Sequence, residues 1–142
     1  MIAPGSKRKI LRWVPSLLWA GLIFYLSSQS GVHLPGTDFL FKDKFAHFFA
    51  YGVLCAFVMY GCDSLKEADH ARGIGLLAVI AYGFLDEIHQ KFVPGRLCDP
   101  IDFVADSTAA IGYFGLIVLR AGSRKRRGNE IQITKRDSRH TA

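Results

Sequence analysis

At 142 residues the chain is one domain's worth by length, yet half of it is hydrophobic and its mean hydropathy is positive. Its formal charge of +6 and pI near 9.4 would suit a nucleic-acid partner, but the basic residues crowd into the two ends, outside the apolar runs. With no zinc-finger spacing and no aromatic RNA-binding motif, nucleic acid is excluded; basic flanks beside apolar runs point instead to cytoplasmic anchoring and anionic lipid headgroups.

Residues 1–12 are short, polar and basic. From 13 to 37 there is no Asp, Glu, Lys or Arg. A crossing needs about 20 apolar residues, so residues 13–28 with their flanks predict a first membrane helix. Pro15 falls near its start, where a missing N–H costs least, and Trp13, Trp19 and Tyr25 offer interfacial anchors. The basic start, the apolar core and Ser28-Gln29-Ser30 also fit a secretory signal peptide, although small residues at the exit are common in uncleaved spans. Gly31, Pro35 and Gly36 break the chain in a loop over 29–44. A second span, 45–62, is free of charge, and a short charged loop, DSLKEADHARG, follows. The third span starts near 74, stays uncharged through 85, then meets Asp86, Glu87, His89 and Gln90 before Val93-Pro94-Gly95 ends it. Pro100 is well placed ahead of a fourth span, 101–119, with Asp102 and Asp106 in its first turns. From 122 onward the chain is basic and polar without hydrophobic periodicity, which predicts disorder. Cys55 and Cys62 share a face and pack; Cys98 is an unpaired loop thiol, and no disulfide framework or paired metal spacing occurs.

Four spans put both ends on one side. Lys and Arg number 4, 2 and 8 in the N-terminus, the 63–73 loop and the C-terminal tail, against 2 in each alternate loop. That bias places both termini in the cytoplasm. The expected fold is therefore all-α: an integral, multi-pass four-helix bundle in the cell (inner) membrane. Its domain spans 13–120, between a basic N-terminus (1–12) and a basic, disordered tail (121–142). Most of the acids, Asp38, Asp43, Asp86, Glu87, Asp99, Asp102 and Asp106, then fall outside or in the outer half.

Within DKFAHFFAY, residues 43–51, helical spacing puts Asp43, His47 and Tyr51 in one stripe. Glu87 and Gln90 are three apart, and Asp102 and Asp106 four apart, so each pair also shares a face. The topology brings all three stripes to one depth. Titratable groups entering a bilayer should face protein or trapped water, so they are expected to meet in an outward-opening polar pocket. Gly83, and Ala105, Ala109 and Gly112 continuing the Asp102/Asp106 face, are expected to close the bundle below it.

The candidate binding residues are Asp43, Lys44, His47, Tyr51, Glu87, Gln90, Arg96, Asp102 and Asp106. A His beside a carboxylate can act as a general base, which makes His47 and Glu87 the catalytic candidates, and Arg96 can clamp an anion through its planar fork. His47, Glu87, Asp102 and Asp106 are metal-ligand types, but their spacing matches no zinc motif, and no metal site is assigned. The plainer alternatives are structural. Asp43 and Asp102 near helix starts complement the helix dipole without chemistry; Lys44, Lys91 and Asp99 read as interfacial charges, and His33 and His70 as solvated loop residues. Function weighs more for His47, Glu87 and Asp106, which lie farther into the apolar runs.

Four stretches, IFYLSSQSG (23–31), DKFAHFFAYGVL (43–54), DEIHQKFVPGR (86–96) and DFVAD (102–106), together resemble the VanZ-like family of small bacterial membrane proteins. The resemblance covers nearly everything between the basic ends. It implies that the first span is retained, because LSSQ belongs to the pattern. It also implies a cell-envelope setting, with a family link to resistance against the glycopeptide teicoplanin. Where such sequences carry Asn this chain has Asp106, and Ala109 and Tyr113 stand in glycine places, so this member is more acidic and less glycine-rich in its last span. A phosphotransbutyrylase label attached to some relatives finds no nucleotide or coenzyme motif here, and no cofactor is assigned.

Three functions follow as expectations. The first is an envelope protein whose pocket binds an anionic or polar group, such as a lipid-linked or cell-wall precursor. The second is a membrane enzyme doing acid/base hydrolysis or transfer on such a substrate. The third is an accessory protein whose polar cluster only locks helix register. A transporter is disfavoured, since four short helices leave little room for alternating access without oligomerisation.

Overall fold

The computed structural model describes residues 4–30, 37–96 and 98–140, with side chains at 7–30, 44–96, 98–123 and 127. Among the described residues there are five helices and no strand: α1 (Pro4–Leu11), α2 (Val14–Ser27), α3 (Thr37–Cys62), α4 (Ala68–Gln90) and α5 (Pro100–His140). Pro15 explains the break between the first two. It has no N–H to give the Leu11 carbonyl, yet Trp13 keeps right-handed helical angles and bonds Ile10 O at 3.0 Å. Lys7–Ser27 therefore forms one apolar stretch of 21 residues, roughly 31 Å at helical rise.

Among the described residues three stretches are long and apolar enough to cross a bilayer: Lys7–Ser27, Lys44–Cys62 and Pro100–Ser123. The expected third span, in α4, is not among them. Arg72 and Asp86 leave only residues 73–85 free of charge between them, roughly 20 Å of helix against a hydrocarbon core of about 30 Å. What α4 lacks in outward apolar length it makes up in contact. Its buried residues Gly75, Val79, Gly83, Asp86, Glu87 and Gln90 form one stripe turned toward α3 and α5.

The core sits where α3 meets α4 and α5. Tyr51, Leu54, Cys55 and Met59 from α3 pack with Val79, Ala110 and Ile23. Outside it the bundle is sheathed in apolar side chains; Leu18 is 71 % exposed and Phe45 72 %. Such a surface is costly in water and comfortable in acyl chains. Cys55 and Cys62 are buried, each donating to a backbone carbonyl, and Cys98 is a free, exposed thiol. The small-residue face of α5 differs from expectation. Ala109 and Ala110 are buried, but a Cβ on Gly112 would meet nothing. The 3.6-residue period carries the Asp102/Asp106 stripe through positions 109, 110 and 113 and turns 112 outward.

The basic tail also departs from the expected disorder, because α5 stays helical through His140. Arg, Lys, Glu and Gln dominate it and no Pro interrupts it. Those residues are good helix formers without any apolar face. At 41 residues the helix is roughly 61 Å long, about twice the hydrocarbon thickness.

Two glycines on α4 give opposite expectations. A Cβ on Gly75 would lie 2.9 Å from Val58 Cγ1 and 3.0 Å from Cys62 Sγ, whereas one on Gly73 meets nothing. Gly75→Ala should destabilise the detergent-solubilised protein by about 1–3 kcal/mol through overpacking. Gly73→Ala should be neutral or stabilising by up to about 1 kcal/mol. Thermal unfolding of both variants checks this.

Candidate functional site

The polar end of the bundle is assembled by one short connection. Pro94 and Gly95 form a tight turn closed by Arg96 N–H to Val93 O at 3.1 Å. Gly95 has φ 76°, the left-handed value this turn requires and a side chain resists. Asp99 then ties three helices together. Its Oδ1 accepts the Ile101 N–H (2.9 Å), capping α5, and its Oδ2 accepts Lys44 Nζ from α3 (2.7 Å). Its own N–H donates to Glu87 Oε2 on α4 (3.0 Å). Pro100 begins α5 at the position where a missing N–H is free of penalty.

Lys44 reaches a second carboxylate as well, Asp102 Oδ1 at 2.7 Å. Asp102 is 3 % exposed, so this pairing neutralises a charge that has almost left solvent. The hydrogen bond from Lys44, then the one from Ile101 N–H, holds the Asp99 carboxyl below its ordinary value. A carboxyl depressed by folding contributes stability above the ordinary aspartate range and loses it as the pH falls through the folded value.

Behind this ion pair lies the buried cluster. His47 Nδ1 stands 3.2 Å from Asp106 Oδ1. His47, Glu87 and Asp106 each offer one ligand atom, and the three atoms lie within 4.8 Å of one another. Tyr51, one turn deeper on α3, lies parallel to the His47 ring at 6.5 Å and is fully buried. Gly83 makes room for this meeting, since a Cβ there would sit 3.2 Å from the Tyr51 ring and 3.4 Å from Asp106. Among the described residues five buried side-chain oxygens have no hydrogen-bond partner: Ser27 Oγ, Tyr51 OH, Glu87 Oε1, Asp106 Oδ2 and Ser107 Oγ. Such atoms are rare in folded proteins and mark places where a further group belongs.

His47 also borders a cavity of about 170 Å³ between α2, α3 and α4. Ile23, Leu26, Ala46 and Ala50 make its apolar wall; His47, Tyr51, Asp86, Gln90 and Arg96 make the polar one. Glu87 and Asp106 are not on that wall, so His47 is the side chain shared by cavity and cluster. The α2 side is fastened by side chains reaching backbone. Trp19 Nε1 donates to Ala50 O (2.9 Å), and Tyr82 OH to Ala20 O (2.7 Å). Arg96 donates through Nε to Gln29 O and through Nη2 to Leu26 O.

The candidate residues thus divide. His47, Glu87 and Asp106 come together, and Lys44 joins Asp102. Gln90 pairs with Asp86 (3.3 Å), four residues back, rather than with Glu87. Arg96 borders the cavity but commits two of its nitrogens to the Leu26 and Gln29 carbonyls at and just past the end of α2. The side chain of Asp43 lies outside the described residues. Asp99, read from sequence as an ordinary interfacial charge, is the most connected residue of the region. The signal was present as an N-cap residue directly before Pro100. No metal spacing is legible along the chain, because the three ligand types come from three different helices. A further contact, Ser28 Oγ to His89 Nε2 at 2.9 Å, joins the LSSQ stretch to α4.

A helical bundle sheathed in apolar side chains, with its buried acids gathered at one end, is the architecture of a small membrane protein. The VanZ/LLP1 family model matches residues 12–120, and the chain belongs to that family. No curated protein and no solved structure matches it.

Asp99 offers a graded test of the connection. Asp99→Ala removes both the cap and one counter-charge of Lys44, and should lower stability in detergent at neutral pH by about 1–2 kcal/mol. Asp99→Asn keeps a capping side chain and should lose less. The wild-type advantage over Asp99→Asn should shrink as the pH falls below the ordinary aspartate range, read by thermal unfolding across pH.

Proposed function

We propose that the protein crosses the cell membrane four times with both termini in the cytoplasm. On this reading α4 serves as the short third span, shielded by α3 and α5. The basic residues of the two ends and of the 63–73 loop then share the cytoplasmic side. The polar ends of α3, α4 and α5 lie together in the outer half of the bilayer. Reporter fusions after residues 30, 65, 96 and 142 should score outside, inside, outside and inside; an exported C-terminus would overturn this topology.

In that setting the protein acts as a cell-envelope binding protein for an amphiphile, an envelope lipid or lipid-linked precursor with a polar head. The two-sided cavity carries this reading. One wall is aliphatic and the other holds His47, Tyr51, Asp86, Gln90 and Arg96, the pattern by which pockets orient a ligand with apolar and polar parts. A link to teicoplanin tolerance is the phenotype consistent with such a role. Gln90→Ala and His47→Ala should each lower the lipid retained by the purified protein severalfold, measured by mass spectrometry, and reduce teicoplanin tolerance at equal protein level. Unchanged retention in both variants would sink the binding reading.

A second reading, turnover of the same ligand, is favoured by the 3.2 Å contact between His47 and Asp106. A carboxylate-oriented imidazole beside a cavity is the arrangement of a general base. Release of a cleaved or transferred product by the purified protein, lost in Asp106→Asn, is the measurement that separates turnover from binding.

A further inference from the structure

Among the described residues the polar end is too acidic to hold a negatively charged head unaided. Asp86, Glu87, Asp99, Asp102 and Asp106 stand with three permanent cations, Lys44, Lys91 and Arg96, of which Lys91 is exposed. Lys44 is already shared between two carboxylates at 2.7 Å. Arg96 points two nitrogens at backbone carbonyls. No Lys or Arg reaches Glu87 or Asp106 in any ion pair of the described residues. Yet Glu87 and Asp106 are 3 % and 2 % exposed. Carboxylates in such a place are stabilised by a positive partner or must take up a proton.

We infer that His47, Glu87 and Asp106 hold one divalent first-row cation, Mn²⁺ or Zn²⁺, whose charge lets a phosphate-bearing headgroup occupy the neighbouring cavity. Two independent observations carry this. The first is the convergence of one imidazole and two carboxylates from three helices, with ligand atoms within 4.8 Å of one another. The His47–Asp106 separation of 3.2 Å already matches two neighbouring ligands of one ion, about 3.0–3.4 Å apart for bonds of about 2.1 Å. The second is that both carboxylates keep an oxygen, Glu87 Oε1 and Asp106 Oδ2, buried and without a hydrogen-bond partner. The other oxygen of Glu87, Oε2, is occupied by the Asp99 N–H, while Asp106 Oδ1 is the oxygen that faces His47 Nδ1 and would share the ion with it once that nitrogen is unprotonated. The Asp99 N–H is the kind of outer contact that orients a ligating carboxylate.

The donor set selects the ion. Two carboxylates with one nitrogen suit Mn²⁺ or Zn²⁺, whereas Mg²⁺ and Ca²⁺ prefer oxygen throughout. A bound dication reverses the local charge balance, as metal ions do wherever they are the largest charge in a site. The inference rests on the binding reading above for its ligand, but not for the ion itself.

The test uses the full chain in detergent, tag removed, stripped with EDTA and desalted. Mn²⁺, Zn²⁺ or Mg²⁺ is then added alone. About one equivalent of Mn²⁺ or Zn²⁺ should survive desalting by elemental mass spectrometry, and saturation should raise the unfolding midpoint by several degrees; Mg²⁺ at the same concentration should do neither. Glu87→Gln and Asp106→Asn should each weaken retention at least about tenfold, while Asp63→Asn, at the opposite end of α3, should retain the ion as wild type does. Should either carboxylate variant fail to fold, His47→Gln supplies the same comparison. Retention below about a tenth of an equivalent by wild type, or retention unchanged in the ligand variants, overturns the site. Equal retention of Mg²⁺ overturns the choice of ion. Phospholipid measured in the same samples separates the two claims. An ion held without lipid removes the headgroup reading and leaves the metal site; lipid held equally with and without the ion removes the coupling.

Discussion

Lys44 carries two carboxylates 2.7 Å from its ammonium, and the ends of three helices are arranged around that contact. Asp102 lies in the first turn of α5, and Asp99 caps that turn while giving its N–H to Glu87 of α4. An ammonium entering an apolar bundle needs counter-charges, and Asp102, once buried, needs a cation. Each requirement answers the other only if α3 and α5 start side by side with the α4–α5 connection folded over them. The register of the bundle at its polar end is thus an electrostatic solution. Lower down, glycines and alanines allow the helices to close, as at Gly75 against Val58 and Cys62.

Below Lys44 the balance of charge changes. His47, Glu87 and Asp106 converge from the same three helices without a Lys or Arg among them. Tyr51 lies parallel to His47 and Gly83 leaves the space in which Tyr51 and Asp106 approach. The packing that brings these groups together is specific: one added methyl at Gly83 meets both neighbours at 3.4 Å or less. A bundle needing only apolar stability could fill this volume with aliphatic side chains at no loss. The buried acids are what the proposed ion and headgroup readings above rest on.

Much of this was legible in the sequence, and what was not has physical causes. Charge-free runs and their basic flanks revealed the helices, because a bilayer imposes length and composition together. The i, i+4 spacing of Asp102 and Asp106, and of His47 and Tyr51, put them on shared faces in advance. Partner choice across helices was not legible. Gln90 turned to Asp86 rather than standing beside Glu87, and Arg96 was drawn to the carbonyls of Leu26 and Gln29 at and just past the end of α2. Both outcomes follow from the rotation of one helix against another, which spacing along one chain does not encode. Gly112 pointed outward because a 3.6 period drifts off a face chosen by eye. The tail beyond 122 was judged by its lack of an apolar face, while its backbone answered to intrinsic propensity.

The weakest-packed wall of the site is α2, and that bears on how an amphiphile reaches it. Only Ser16, Ile23 and Ser27 of this helix are buried. Its hydrogen bonds to α3 and α4 run mainly through Trp19, Tyr82 and Arg96, each donating to a backbone carbonyl, beside the Ser28–His89 contact and the ring contacts of Trp19 with Phe57 and Phe24 with His89. Hydrogen bonds of this kind contribute about 1 kcal/mol each, far less than the burial that joins α3 to α4 and α5. The cavity lies at this seam, lined by Ile23 and Leu26 of α2 and by Ala46 and Ala50 of α3. On the binding reading proposed above, an acyl chain entering there would meet aliphatic groups first and bring its head to His47 and Gln90. The acids behind His47 would then select among heads, so on that reading access and selectivity belong to different helices: α2 admits, and α3, α4 and α5 discriminate.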